Sequence, residues 1–182
     1  MRVDVVVVLG VREFAKFHVD LVIDRLMTGI PDVVSPLVSV DLPGVVSTTY
    51  RAYPVVDHVA DKVCALLEVH ERASGLKEGS TRFRDLVDLV VFAHTATVDA
   101  TMLATALFSE VERRGLTVPE RIAAPAGRDW SSGYAGVARG VRVLPERDLS
   151  SALVTVGRFI DPILLRTVGG LWDPETLRWR GA

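Results

Sequence analysis

Hydrophobic positions recur at helical spacing in two stretches near the middle of the chain. From Val55 to Glu68, the residues Val56, Val59, Ala60, Val63 and Leu67 form one apolar stripe, and Lys62 sits at its flank beside Val55 and Leu66. From Ser80 to Ala93, Phe83, Leu86, Val87 and Val90 line one face, while Asp85 and Asp88 share the other with Leu89 and Phe92. The second helix is apolar nearly all round, which predicts burial, and buried carboxylates require partners. A lysine and two aspartates on adjacent core helices suit either a structural ion pair or half of an active site. Desolvation offsets much of the Coulomb gain of a buried pair, which weakens the purely structural explanation without removing it.

The flanking patterns predict the other elements. Val3 to Leu9 reads as a strand, followed by a turn at Gly10-Val11-Arg12-Glu13. Phe17 to Asp24 alternates as a second strand, with Phe17, Val19, Leu21 and Ile23 toward the core and His18, Asp20 and Asp24 on the opposite face. Val33 to Val46 suggests short strands broken by Pro36 and by a Leu42-Pro43-Gly44 turn. Pro54 stands where a helix would begin, and that helix is expected to run to about Arg72. Ser80 or Thr81 would cap the next one. Beyond His94 the strand patterns stop: helices are expected over Thr97 to Arg114, ending at Gly115, and over Glu146 to Val168, with a final turn at Trp172-Asp173-Pro174. The layout is α+β, divided into a mixed region, 1–95, and a helical region, 96–182.

Composition narrows the class. The 182 residues are 49% hydrophobic, yet every Val-rich stretch is interrupted by Asp, Arg or Gly before it reaches the length of a membrane span. The start Met1-Arg2-Val3-Asp4 does not read as a signal peptide. A single cysteine, Cys64, excludes a disulfide framework and is compatible with a reducing, cytoplasmic setting. The net charge of −2 gives no whole-protein pull on nucleic acid, although arginine pairs at Arg82 and Arg84 or Arg113 and Arg114 could form a local patch. With only three lysines in the chain, Lys62 stands out.

The common phosphate-loop, dinucleotide, nucleophile-elbow and zinc signatures are missing. His58 lies one turn from Lys62, which suits a polar helix face more than a metal site. Asp20 is centred on a strand against its propensity. It suits either a metal or general-base carboxylate in a cleft, or the solvent-facing side of an antiparallel sheet.

The runs Tyr53-Pro54-Val55 through Ala60-Asp61-Lys62-Val63-Cys64-Ala65, and Arg84-Asp85-Leu86-Val87-Asp88-Leu89, resemble the AbiEii/AbiGii-type nucleotidyltransferase toxins, including the mycobacterial MenT group. In that family an Ala-Asp-Lys helix supplies an essential lysine, and an Arg-Asp-x-x-Asp-Leu helix an essential aspartate. The resemblance covers about residues 15–95. It implies a partial nucleotidyltransferase-like mixed sheet with helices, followed by a C-terminal helical bundle. It further implies that Lys62, Asp85, Asp88 and Asp20 are catalytic, that Lys62 and Arg84 bind the nucleotide, and that Asp20 holds the metal. The implied cofactors are Mg²⁺ and an NTP; the implied partners are a cognate antitoxin and a tRNA 3′ end. The family's Gly-Ser and Asp-x-Asp motifs are not found in Met1 to Phe14. The resemblance therefore matches the family's C-terminal two-thirds, as a truncated or inactive form. The alternative is a catalytically dead remnant that acts as a protein-binding module, and an exposed sheet edge or apolar face would favour self-association.

Overall fold

A computed structural model describes residues 1–23, 27–38, 48–71, 77–126 and 129–181. Its first elements are β1 (Arg2–Leu9) and β2 (Arg12–Asp20), an antiparallel hairpin turned at Gly10, whose φ of 64° suits a residue without a Cβ. Val3 faces Val19, Val5 faces Phe17 and Val7 faces Ala15 across the ladder, while Arg2, Asp4 and Val6 face Asp20, His18 and Lys16. One face is therefore apolar and the other mixed or charged. Contrary to expectation, the apolar face is not in the core: Val3 is 38% exposed, Phe17 51% and Val19 39%. Alternation reported the two faces of this ribbon, but not whether anything lies against either. The expected strand end at Asp24, and the turn at Leu42-Pro43-Gly44, lie outside the described residues.

Strands β3 (Asp32–Val34) and β4 (Tyr50–Ala52) form a second small antiparallel pair. Helix α1 (Val55–Leu67) starts directly after Pro54. Its buried Asp57 carboxylate accepts from the Thr28 and Gly29 backbone N–H groups and from the Thr28 hydroxyl, at 2.8–2.9 Å, which pins this loop to the first turn. Gly29 is needed for that approach, since a Cβ there would lie 2.7 Å from the Pro54 side chain. The helix ends at Leu67, earlier than its pattern suggested, because β5 (Val69–Glu71) leaves to pair with β6 (Lys77–Gly79).

Helix α2 (Phe83–Thr95) has Arg82 as its N-cap residue, with no side-chain cap; Ser80 instead accepts from the Arg82 N–H. β7 (Val98–Asp99) replaces the expected helix start at Thr97; α3 (Ala100–Arg114) is capped by Asp99, and Gly115, in the left-handed region, stops it as the sequence suggested. Helices α4 (Trp130–Ala138) and α5 (Leu149–Leu164) are capped by Asp129 and Asp148.

The chain closes with β8 (Leu171–Asp173) and β9 (Arg178–Arg180), which join β7 in a three-stranded antiparallel sheet. These strands correct the expectation of a strand-free second half. The expected mixed sheet is likewise replaced, among the described residues, by four small antiparallel sheets.

Mixed helices with small sheets make the fold α+β. A single core cluster runs from Val56 on α1 to Trp172 on β8, and so crosses the 95/96 division. Trp172 is fully buried, packs on Phe159 and Trp179, and donates to the Ala93 carbonyl at the end of α2. Glu146 ties α2, α4 and α5 together: its carboxylate meets His94 and Thr155, and its carbonyl accepts from Tyr134. No described helix is long and apolar enough to cross a membrane.

Candidate functional site

Helices α1 and α2 pack so that the Lys62 ammonium lies 2.7 Å from Asp85 Oδ1 and 2.7 Å from Asp88 Oδ2. The two aspartates stand three apart on α2, hence on one face, and Lys62 reaches both from the flank of the α1 stripe. Asp85 is buried and Asp88 is half-buried. Burial alone would depress the Lys62 pKa; hydrogen bonds and charge from Asp85 and Asp88 outweigh it and hold the ammonium above its ordinary value. The lysine is therefore a fixed positive charge at neutral pH.

A cleft of about 190 Å³ opens beside this triad. Its basic lining is His58, Lys62, Arg82 and Arg114; Asp61 and Asp85 supply the acidic part. Burial, then the neighbouring Lys62, lower the His58 pKa, so its ring is neutral at pH 7, and it packs edge-on against Tyr53 and Phe92. Arg82 reaches within 3.8 Å of Asp85 Oδ2.

Arg114 closes the far side of the cleft from the last turn of α3. Its guanidinium meets Asp61 at 2.8 Å, Glu68 at 2.7 Å and Glu110 at 2.5 Å. Burial opposes the Arg114 charge, but Glu110 and Glu68 more than restore it. The Arg113 hydrogen bond, together with Arg114, holds Glu110 down at about 2. Since unfolded Glu110 has its ordinary value of 4.5, the unfolded chain takes up this proton first as pH falls. The contribution is complete above about pH 4.5 and is lost toward pH 2. Urea midpoints measured across that range are expected to fall as pH falls, and to fall less in Glu110→Gln.

Of the residues expected to carry chemistry, the structure joins Lys62, Asp85 and Asp88. It does not bring Asp20 to them. Asp20 lies on the exposed hairpin, accepts from Arg2 Nε at 2.9 Å and Nη2 at 3.2 Å, and does not line the cleft. Arg84 is exposed and also outside the lining, where Arg82 stands instead. The sequence marked Arg113 and Arg114 only as a local arginine patch; the place of Arg114 in the cleft was not legible because two of its three partners lie 46 and 53 residues away.

Cys64 lies on the buried face of α1, and burial pushes its thiol up to about 12. Native protein is expected to resist iodoacetamide at pH 8, and urea-unfolded protein to react at once; fast alkylation of the folded chain would contradict this packing.

The donor set does not fit a bound Mg²⁺. Asp85 and Asp88 are both committed to Lys62, Asp20 is elsewhere, and no group of three or more His, Cys, Asp or Glu among the described residues could hold a metal. The cleft is instead a polar recess of paired charges, where Lys62, Arg82 and Arg114 stand beside Asp61 and Asp85.

A family model described as "Nucleotidyl transferase AbiEii toxin, Type IV TA system" matches residues 4–154, and the chain belongs to that family. A search of curated proteins finds no match. The family match is wider than the stretch of about 15–95 that carries the motif resemblance: it takes in the hairpin, α3, α4 and the start of α5. Membership implies a nucleotidyltransferase toxin of a type IV toxin–antitoxin system, with an antitoxin as partner and an NTP and divalent metal in use.

Proposed function

We propose that this chain is a MenT-like nucleotidyltransferase toxin component in which the Lys62 cleft receives the triphosphate of an NTP. The observation that carries this is the Lys62 ammonium, bonded to Asp85 and Asp88 at the wall of a recess that Arg82 and Arg114 also line. On this reading Lys62 stabilises charge on the phosphates as pyrophosphate leaves, and Asp85 and Asp88 aim and hold its ammonium. Arg84, exposed one turn from Asp88, would meet nucleotide or acceptor outside the recess. Asp20, the carboxylate that the resemblance assigns to Mg²⁺, is paired with Arg2 outside the cleft, so no step of this reading runs through a metal held there. The proposed acceptor is an RNA 3′ end, that of a tRNA, and the proposed setting is the cytoplasm.

A second reading, a catalytically silent module that binds protein, is favoured by the exposed position of Asp20 on an apolar hairpin. Both readings include self-association through that hairpin.

Incubation with α-³²P-labelled NTPs, Mg²⁺ and tRNA, followed by ultraviolet crosslinking, tests the choice. Label on the chain that is lost in Lys62→Ala supports the nucleotide site, and label on tRNA would extend it to complete transfer. A chain that takes no label with any of the four nucleotides is the protein-binding module.

A further inference from the structure

Among the described residues the β1–β2 hairpin is a two-stranded ribbon with no strand on either edge, and such a ribbon is marginal in water unless something extends or covers it. Its hydrogen-bond phase identifies which groups face outward. The Met1 amino group donates to the Leu21 carbonyl at 2.9 Å, and the Leu21 N–H to the Met1 carbonyl at 2.7 Å, so this is a mutually bonded pair. In an antiparallel ladder these pairs alternate with non-bonded ones. On β2, Leu21, Val19 and Phe17 therefore turn their N–H and C=O toward β1, and Asp20, His18 and Lys16 turn theirs away.

Those same three residues carry complementary charge. Their side chains share the polar face, spaced so that Lys16 and Asp20 lie equally far on either side of His18. We propose that β2 pairs antiparallel with β2 of a second copy about a two-fold axis at His18. This deepens, and rests on, the reading that the chain self-associates. The alignment sets Lys16 opposite Asp20 twice, His18 opposite its own copy, and Phe17 opposite Val19 twice on the apolar face.

Other registers that keep the apolar faces together serve less well. Shifting by two places Lys16 opposite His18, or His18 opposite Asp20, and a shift by four puts Lys16 against Lys16 or Asp20 against Asp20. The outer edge of β1 offers less: its outward residues Arg2, Asp4 and Val6 meet opposite charge only in a register that pairs a few residues at its start. The Lys16–Glu13 and Arg2–Asp20 contacts do not stand in the way, since all four side chains are at least half exposed and such pairs rearrange at little cost. The product is a four-stranded sheet with one continuous apolar face, in which aromatic–β-branched pairs add to the ladder.

The alignment can be tested in the full chain because the sole native thiol, Cys64, is buried. A bonded pair holds its Cα atoms about 5.5 Å apart, within disulfide range, so His18→Cys should crosslink to its own copy under mild oxidation. Asp4→Cys on the other edge should not. Lys16→Pro removes one outward N–H without breaking the β1–β2 ladder, and should convert a species of twice 19.8 kDa into one of 19.8 kDa by light scattering, with an unchanged circular dichroism spectrum. A wild-type chain that is monomeric at 100 µM would overturn self-association altogether. A dimer that survives Lys16→Pro, with no His18→Cys crosslink, would leave self-association standing and overturn this edge and register.

Discussion

Replacing Arg114 by alanine is expected to destabilise the fold by about 3–5 kcal/mol, one of the two largest single-residue effects in the molecule. The change strips the shared cation from Asp61 on α1, Glu68 just after it and Glu110 on α3. Glu110 is buried and keeps Arg113, but Asp61 and Glu68 each lose a hydrogen-bonded positive charge. At about 2–4 °C per kcal/mol for a chain of this size, the melting temperature should fall by roughly 10 °C. Arg114→Lys should recover only part of this, because one ammonium cannot reproduce a guanidinium fork spread over three carboxylates. A loss below about 1 kcal/mol in Arg114→Ala would mean that the cluster is solvated and does not organise the wall of the cleft.

The second large effect is expected at Trp172. Trp172→Ala should cost about 3–5 kcal/mol, since it empties a fully buried indole site between Phe159 and Trp179. It also removes the donor that serves the Ala93 carbonyl, one of those a helix C-terminus leaves without an intrahelical partner. Trp172→Phe keeps much of the volume but not the N–H, so it should fall between the two in urea melts. The split between these variants separates packing from the hydrogen bond. Both positions act on the α1–α2–α3 framework that holds the cleft, although neither belongs to the lysine triad.

Periodicity made the framework legible where an element was long and one-sided. The apolar stripe of α1 and the nearly uniform apolarity of α2 placed Lys62 at a flank and forced partners on Asp85 and Asp88, and the ion pairs follow directly from that. Gly115 ended α3 for the expected stereochemical reason. The short strands β7, β8 and β9 were not legible, because two or three residues are too few to establish a period of two. Trp172 looked like the start of a turn, whereas its burial depends on α2 and α5 meeting over it. Spacing offered only the Glu110 partner of Arg114, one turn back on α3; Asp61 and Glu68 are brought to it by the packing of α1 against α3. The hairpin gave the opposite error: its alternation was right, but the apolar face that should have marked the core is open to solvent. That exposure leaves Asp20 on a ribbon edge beside Arg2, away from the cleft to which family resemblance assigned it.

Lys62 remains the point on which the functional claim turns. Calorimetric titration of the four NTPs, with Mg²⁺, into wild type, Lys62→Gln and Asp88→Asn tests it most directly. Removing the Lys62 charge should abolish measurable binding, whereas Asp88→Asn, which frees one side of the ammonium, should preserve or tighten it. NTP affinity that is the same in Lys62→Gln as in wild type, with both chains folded, would contradict a phosphate-receiving cleft.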